Sequence, residues 1–534
     1  MAGTSNDRDV ESDQQSFSKP TEVLPDVHNT GAKVERAGDA YRVYAGLVDR
    51  PSRGEIWVWY LYGLCSYFVL TTLLPVIFPL IIGYIVKPQE PGQGWTKTRK
   101  GFVCGLDQMD VYERLIQRSI SVSNMNFSPL EWTSISWFIG LVLATPFVGL
   151  ISSHLDHGQN QQLVAASATA IGALFCLPVG FFRTVWIFPL YIAPIVAAYI
   201  IAAASHTRHF GLLVRGFTGP TLQPSQFPHR RGVSGWFSLY ATAAGCLGSA
   251  IISAFGYHMI KSKEIVTSLW VVSIFSGLIW LIGLSHVISI RPGTTPSSLV
   301  PKTYFLTLFK YPHAIGSLIV VFISSFTTMC IFTGGTLFLV GQLCLKPVFV
   351  LYFWLVYFIF PSISLPLLQP LQQVIKANAV KMQVLGFLLA LITSGVGYCF
   401  RNHNWENQHI LLFAAIQSTS TGLLHAFGRV LLLDCSPGGK EGAFSIWLSW
   451  VKAIGTCAGF AVASAVPGDI HTCFKVTFCM AVIGNLVLIF GNISDFGGAK
   501  AAGLLREDSE RGSPVSGLDT SIIIKEAVPD QEHK

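Results

Sequence analysis

The sequence predicts an all-α polytopic membrane protein, with twelve transmembrane helices in two six-helix halves. Three observations predict it. Of 534 residues, 51% are hydrophobic and 12% charged, with a mean hydropathy of +0.51, which leaves too little polar surface to cover a soluble body of that size. From about Glu131 to Ile493 the chain is a series of apolar blocks split by short turns, each roughly 20 residues long as a bilayer-spanning helix must be. A polar run from Arg291 to Lys310 then divides those blocks into two sets of six.

Taken in order, residues 1–54 are polar, mixed in charge and without an apolar core, which predicts a disordered cytoplasmic tail rather than a secretory leader. The first span runs from about Ile56 to Val86 and is followed by a long non-cytoplasmic loop over residues 87–130. Further blocks near residues 132–153, 161–182, 184–204, 234–257 and 267–290 complete an N-terminal half over residues 55–291. A cytoplasmic linker over residues 292–310 leads to blocks near 312–341, 347–369, 382–400, 409–428, 443–466 and 472–493. These make a C-terminal half over residues 311–493, and residues 494–534 form a second polar tail. Lys and Arg gather on the cytoplasmic side of short loops. With both termini inside, Arg208, Arg215, Arg230, Arg231, Lys376, Lys381, Arg429 and Lys440 fall in inner loops, whereas the short outer loops hold only Arg183, Lys261, Lys263, Lys346 and Arg401.

Several function classes are disfavoured. The net charge of +7 is spread over loops and forms no dense basic tract, so nothing supports nucleic-acid binding. Cys65, Cys176, Cys246, Cys330, Cys399, Cys457 and Cys479 lie in apolar blocks, where cysteine behaves as a small hydrophobe. Cys104 and Cys344 both face the outer compartment; sequence alone leaves open whether they pair. No Cys or His pair has zinc-ligand spacing, and no nucleophile, Walker or metal-ligand motif stands at the bilayer edge. The expectation is a monomer in the lipid bilayer with no metal and no cofactor, which is not an enzyme.

Polar groups inside a bilayer cost free energy unless paired or wetted, so they mark candidate solute sites. Three clusters stand out, in the first, seventh and tenth spans. They supply the substrate-binding candidates Tyr60, Tyr62, Tyr67, Ser325, Thr328, Gln417 and Thr421. No Asp or Glu falls mid-span, so coupling through a buried mid-membrane carboxylate is not expected; Glu55, Glu131, His258, His286, His425 and Lys452 lie nearer span ends. Prolines at Pro75, Pro79, Pro146, Pro178, Pro189, Pro194, Pro361 and Pro366 interrupt the spans, as is tolerated where helices pack on protein or line a cavity. Small residues in the fifth span, Gly245 and Gly248 among them, and in the eleventh, Gly455 and Gly459, fit close helix packing.

Two sets of six spans are the arrangement of the major facilitator superfamily, in which two halves rock around a central site. Trp59-Tyr60-Leu61-Tyr62 leading to Pro79, the turn Leu155-Asp156-His157-Gly158, the entry Arg230-Arg231-Gly232-Val233-Ser234, and Arg429 followed by Pro437, Gly439-Lys440-Glu441 and Phe444 together resemble one family of that superfamily. It is the autophagy-related vacuolar amino-acid effluxers, of which this chain would be a divergent member. Asn160, Gln161 and Gln162 stand where basic residues usually follow the Asp-x-Gly turn, and Gly442-Ala443 replaces a second Glu. The resemblance implies amino-acid efflux by alternating access, with gating by Asp156, Arg429, Lys440, Glu441 and Lys452. Asp156, at a tight turn, would cap a helix N-terminus or pair with a basic group of the opposing half. A sugar or other nutrient facilitator is the first alternative, and a transport-inactive receptor or scaffold the second. The vacuolar membrane is the expected location, with the plasma membrane the alternative. Tyr44-Ala45-Gly46-Leu47 fits a tyrosine-type sorting signal, and Asn126-Phe127-Ser128 is a glycosylation sequon.

Overall fold

A computed structural model describes residues 50–86, 104 and 110–503, apart from residues 118, 158–159, 220, 222, 261–263, 291–304, 401–404, 438–439, 468–469, 492 and 494. Most of the expected tails, most of the linker and the sequence at Tyr44 lie outside the described residues. The bundle consists of α1 (Arg53–Ile85), α2 (Pro129–His157), α3 (Gln161–Cys176), α4 (Phe188–Thr218), α5 (Phe227–Ile260) and α6 (Ile265–Ser289) in the first half. The second half holds α7 (Pro312–Gly341), α8 (Pro347–Ile375), α9 (Ala379–Cys399), α10 (Asn407–Cys435), α11 (Glu441–Ala465) and α12 (Ile470–Phe490). Among the described residues eleven helices are long and apolar enough to cross a membrane, and α3 is a shorter apolar helix.

Their outward faces carry Phe138, Leu150, Leu174, Ile288, Leu367 and Phe490, all exposed. Such a surface suits hydrocarbon and not water, and helices are the form in which a segment can meet its backbone hydrogen bonds there. The prolines act locally. Pro75 sits in a widened turn over Val69–Ile77 within α1, where a π segment relieves the missing N–H. Pro178 follows the end of α3, and Gly180 takes φ +97° against Trp270; the third block therefore ends at Cys176 rather than near residue 182. Pro189 stands in the first turn of α4, where a proline costs nothing. Pro361, Pro366 and Pro370 lie inside α8.

Two helices run farther than hydropathy indicates. α4 continues to Thr218 and α10 to Cys435, because His206, Arg208, His209, Arg215, Arg429 and Asp434 are buried inside the protein instead of lying in loops.

The two halves meet where α2 and α4 pack on α11 and where α5 packs on α8 and α10. Within the halves, α1 lies on α5 and α7 on α11, and glycine sets both distances. A Cβ at Gly248 would stand 2.0 Å from the Leu64 carbonyl oxygen, and one at Gly459 2.3 Å from that of Phe326. No side chain fits there. The loop after α1 carries a hairpin, β1 (Ile120–Val122) against β2 (Met125–Phe127), with Ser121 opposite Asn126. Cys104 in that loop is disulfide-bonded to Cys344 after α7, with 5.8 Å between Cα atoms. The pairing that the sequence left open is thus made, and it ties the two halves together at the hairpin end of the bundle.

Candidate functional site

Two adjoining cavities of about 60 and 80 Å³ lie between the halves and share Tyr67, Tyr199, Ser324, Ser325, His425 and Lys452. Each has room for a few waters or a small solute group. α1 brings Tyr62 and Tyr67, α7 brings Ser325 and Thr328, and α10 brings Thr421, whose hydroxyl is 2.9 Å from that of Tyr357 on α8. Hydroxyls otherwise bonded to their own helix, as Thr328 is to the Ser325 carbonyl at 3.1 Å, keep lone pairs for a guest.

Not every candidate is brought there. Tyr60 packs against Trp59 and Phe237 and is absent from both linings. Gln417 turns to α9, where its side-chain oxygen accepts a hydrogen bond from Thr393, and it borders a separate apolar cavity.

The charges of the cavity are of one sign. Lys452 Nζ is 3.5 Å from His425 Nε2 and 5.4 Å from the centre of the Tyr67 ring. Arg429 donates to Thr242 Oγ1 at 3.3 Å, with its guanidinium 5.6 Å from the Trp59 ring centre. Neither linear motif nor hydropathy singled out His206, Tyr199 and Tyr357, which also face the cavities. Among the described residues neither lining contains an Asp or Glu, and among the described ion pairs no carboxylate holds Arg429 or Lys452.

At the end opposite the disulfide, three buried links join the halves. Asp156, just beyond the span that ends at Ser152, accepts from the Gly442 N–H at 2.6 Å and from the Ala443 N–H at 3.2 Å. These are amides of the first turn of α11, where unsatisfied donors and the helix dipole favour an anion. Burial, and next the Glu441 charge, push the Asp156 carboxyl up to about 7 against the pull of Arg208 and the two amides. Arg215 of α4 is ion-paired with Glu441 of α11. Arg230 of α5 donates to the Leu433 carbonyl at 3.2 Å and lies 3.5 Å from Asp434, both on α10. Of the five gating candidates, the structure sets Asp156 and Glu441 in these links between the halves, leaves Lys440 at the residue before α11, and puts Arg429 and Lys452 at the cavity.

Among the described residues no group of three or more His, Cys, Asp or Glu could hold a metal ion. No protein-family model matches the sequence, and no curated protein is significantly similar to it. Solved structures do match. The crystal structure of the human organic anion transporter MFSD10 (TETRAN) is similar over 82% of this chain and 100% of that one, with a TM-score of 0.53 and 13% identity. The chain is therefore a polytopic membrane protein whose helical fold is similar to that of this solved structure.

Proposed function

We propose that this protein is a secondary transporter that works by alternating access, with α3 as its twelfth span, and that its solutes carry a carboxylate. The observation that carries this is the pair of cations Arg429 and Lys452 in a cavity whose described lining holds no acid. Buried cations without a counter-charge are costly; a carboxylate entering the cavity offsets that cost through charge-assisted hydrogen bonds. Sugars offer no such charge. Amino acids do, and their ammonium would meet the faces of Tyr67 and Tyr357 and the hydroxyl oxygens of Ser325 and Thr421. Organic anions without an ammonium are the second reading, favoured by the missing acid. The resemblance and the basic-residue bias support efflux from a vacuole, with both termini cytoplasmic and the carrier a monomer.

The test is ligand-dependent thermal stabilisation of the purified protein by leucine, succinate and glucose. A ligand at a hundred times its dissociation constant stabilises by about 2.7 kcal/mol. Leucine or succinate raising the unfolding temperature, with no rise in Arg429→Gln, is the expected result; a rise with glucose alone would overturn it.

A further inference from the structure

Behind the cavity, the first half buries a linear chain of three titratable side chains. Glu55 in the first turn of α1 is 8% exposed, and its Oε1 is 2.9 Å from Nε2 of His209 on α4. His209 Nδ1 is in turn 2.8 Å from Nε2 of His286 on α6. The chain leads back to the cavity through rings. His206, which lines the cavity, is centred 5.3 Å from His286, and Tyr62 packs on both at 4.8 and 5.1 Å. His206 is itself fixed by a hydrogen bond of 3.0 Å to the Trp59 carbonyl, answered by the Trp59 indole donating at 3.1 Å to the His206 carbonyl.

Two proton arrangements satisfy both bonds of the chain, and they differ by one proton. In the first, Glu55 is a carboxylate accepting from His209 Nε2–H, and His209 Nδ1 accepts from His286 Nε2–H. In the second, the Glu55 hydroxyl donates to His209 Nε2, His209 Nδ1–H donates to His286 Nε2, and the His286 proton sits on Nδ1. A proton arriving at His286 Nδ1 converts the first into the second by two shifts along existing hydrogen bonds. No bond is left unmade in either form, and the buried negative charge is neutralised.

We propose that Glu55, His209 and His286 form a proton-carrying site that couples solute movement to protons; this rests on the transport reading above. The groups facing it from other elements explain the coupling. Tyr62 faces it from α1 and Ala168 of α3 backs Tyr62, Arg208 on α4 looks instead to Asp156, and Arg429 and Lys452, from α10 and α11, line the cavity together with His206. His206 shares that lining with both cations and its ring is centred 5.3 Å from that of His286, so uncompensated positive charge in the empty cavity opposes the arrival of another at the histidine end of the chain. A solute carboxylate bound to them removes the repulsion, so proton and solute favour each other's binding by linkage and travel in the same direction.

The experiment uses full-length protein in liposomes with a pH-sensitive dye trapped inside and labelled leucine and succinate as probes. Wild-type protein should acidify the lumen as solute enters, and an inward proton gradient should raise accumulation severalfold. Glu55→Gln, fixed in the uncharged form, should lower gradient-driven accumulation at least tenfold while solute counterflow falls less than threefold. Counterflow in the wild type with no acidification and no gradient effect overturns the proton site and leaves transport standing. Equal loss of counterflow and accumulation in Glu55→Gln, with His286→Gln behaving the same way, makes the cluster structural. If the variants do not fold, the wild-type dye signal decides alone, and absence of any wild-type counterflow marks failure of the transport reading itself.

Discussion

Gly442 lies where α11 begins against the end of α2, and a methyl group there tests the closure directly. The added Cβ in Gly442→Ala would stand 2.5 Å from Asp156 Oδ1, 2.7 Å from Leu155 Cβ and 2.9 Å from the Leu155 carbonyl carbon. The last is main chain and cannot rotate away, so the two helix ends must part. Overpacking of this kind costs about 1–3 kcal/mol. The clash exists only while the ends are together, so the cost falls on the closed state and shifts its population about 5–150-fold toward opening. Ser449, 4% exposed and on the cavity wall one helix turn and more below the closure, serves as reporter. In a cysteine-depleted background, alkylation of Ser449→Cys should accelerate by that factor when Gly442→Ala is added. Gly335→Ala, where nothing lies within 4 Å of the new Cβ, should leave the rate unchanged. Folded Gly442→Ala protein reacting within twofold of its parent would refute the idea that this contact holds the halves closed.

Three further outcomes follow from the same contacts. Arg215→Gln removes the guanidinium paired with buried Glu441; broken buried pairs cost about 3–5 kcal/mol, so the alkylation rate at Ser449→Cys should rise by more than in Gly442→Ala. The Asp156 carboxyl is raised from 3.8 to about 7 in the closed state and returns to its ordinary range once solvated, so the closed end binds more protons between those values. Closure is therefore favoured fully below 3.8 and loses that advantage as pH rises through about 7; spin labels at exposed His154 and Lys381, on opposite halves, should report a separation that grows over that window and is still growing at neutrality. Lys452→Met should weaken succinate binding by about 10–100-fold, the worth of a hydrogen bond to a charged group, in a titration of ligand-dependent stabilisation.

Hydropathy found the membrane and nearly every helix because lipid-facing side chains are apolar whatever the interior does. It failed where the interior is polar. His206, Arg208, His209 and Arg215 extend α4 well past the residue 204 at which the apolar block ends, since each is buried among partners from other helices; a single sequence does not reveal those partners. Asp434, paired with Arg230 across the halves, is hidden in the same way at the end of α10. The short third helix was foreshadowed by Pro178 and Gly180, whose joint effect hydropathy averaging conceals.

Within the cavity, residue type drew attention to the right helices, α1, α7 and α10, and left the direction of each side chain undecided. Tyr62, Tyr67, Ser325, Thr328 and Thr421 line it, whereas Tyr60 and Gln417 turn to neighbouring helices. The spacing of His206 and His209, one turn apart on one helix, was the available signal for the buried cluster. Its partners Glu55 and His286 lie far off in sequence.

The central claim is that a cationic cavity between two rocking halves carries solutes bearing a carboxylate. Counterflow in liposomes tests it most directly, with labelled leucine, succinate and glucose offered to the wild type and to the Arg429→Gln, Lys452→Met double variant. Exchange of leucine or succinate that disappears in the double variant, with glucose inert throughout, is the predicted result. Glucose exchange, or carboxylate exchange that survives loss of both cations, would contradict it.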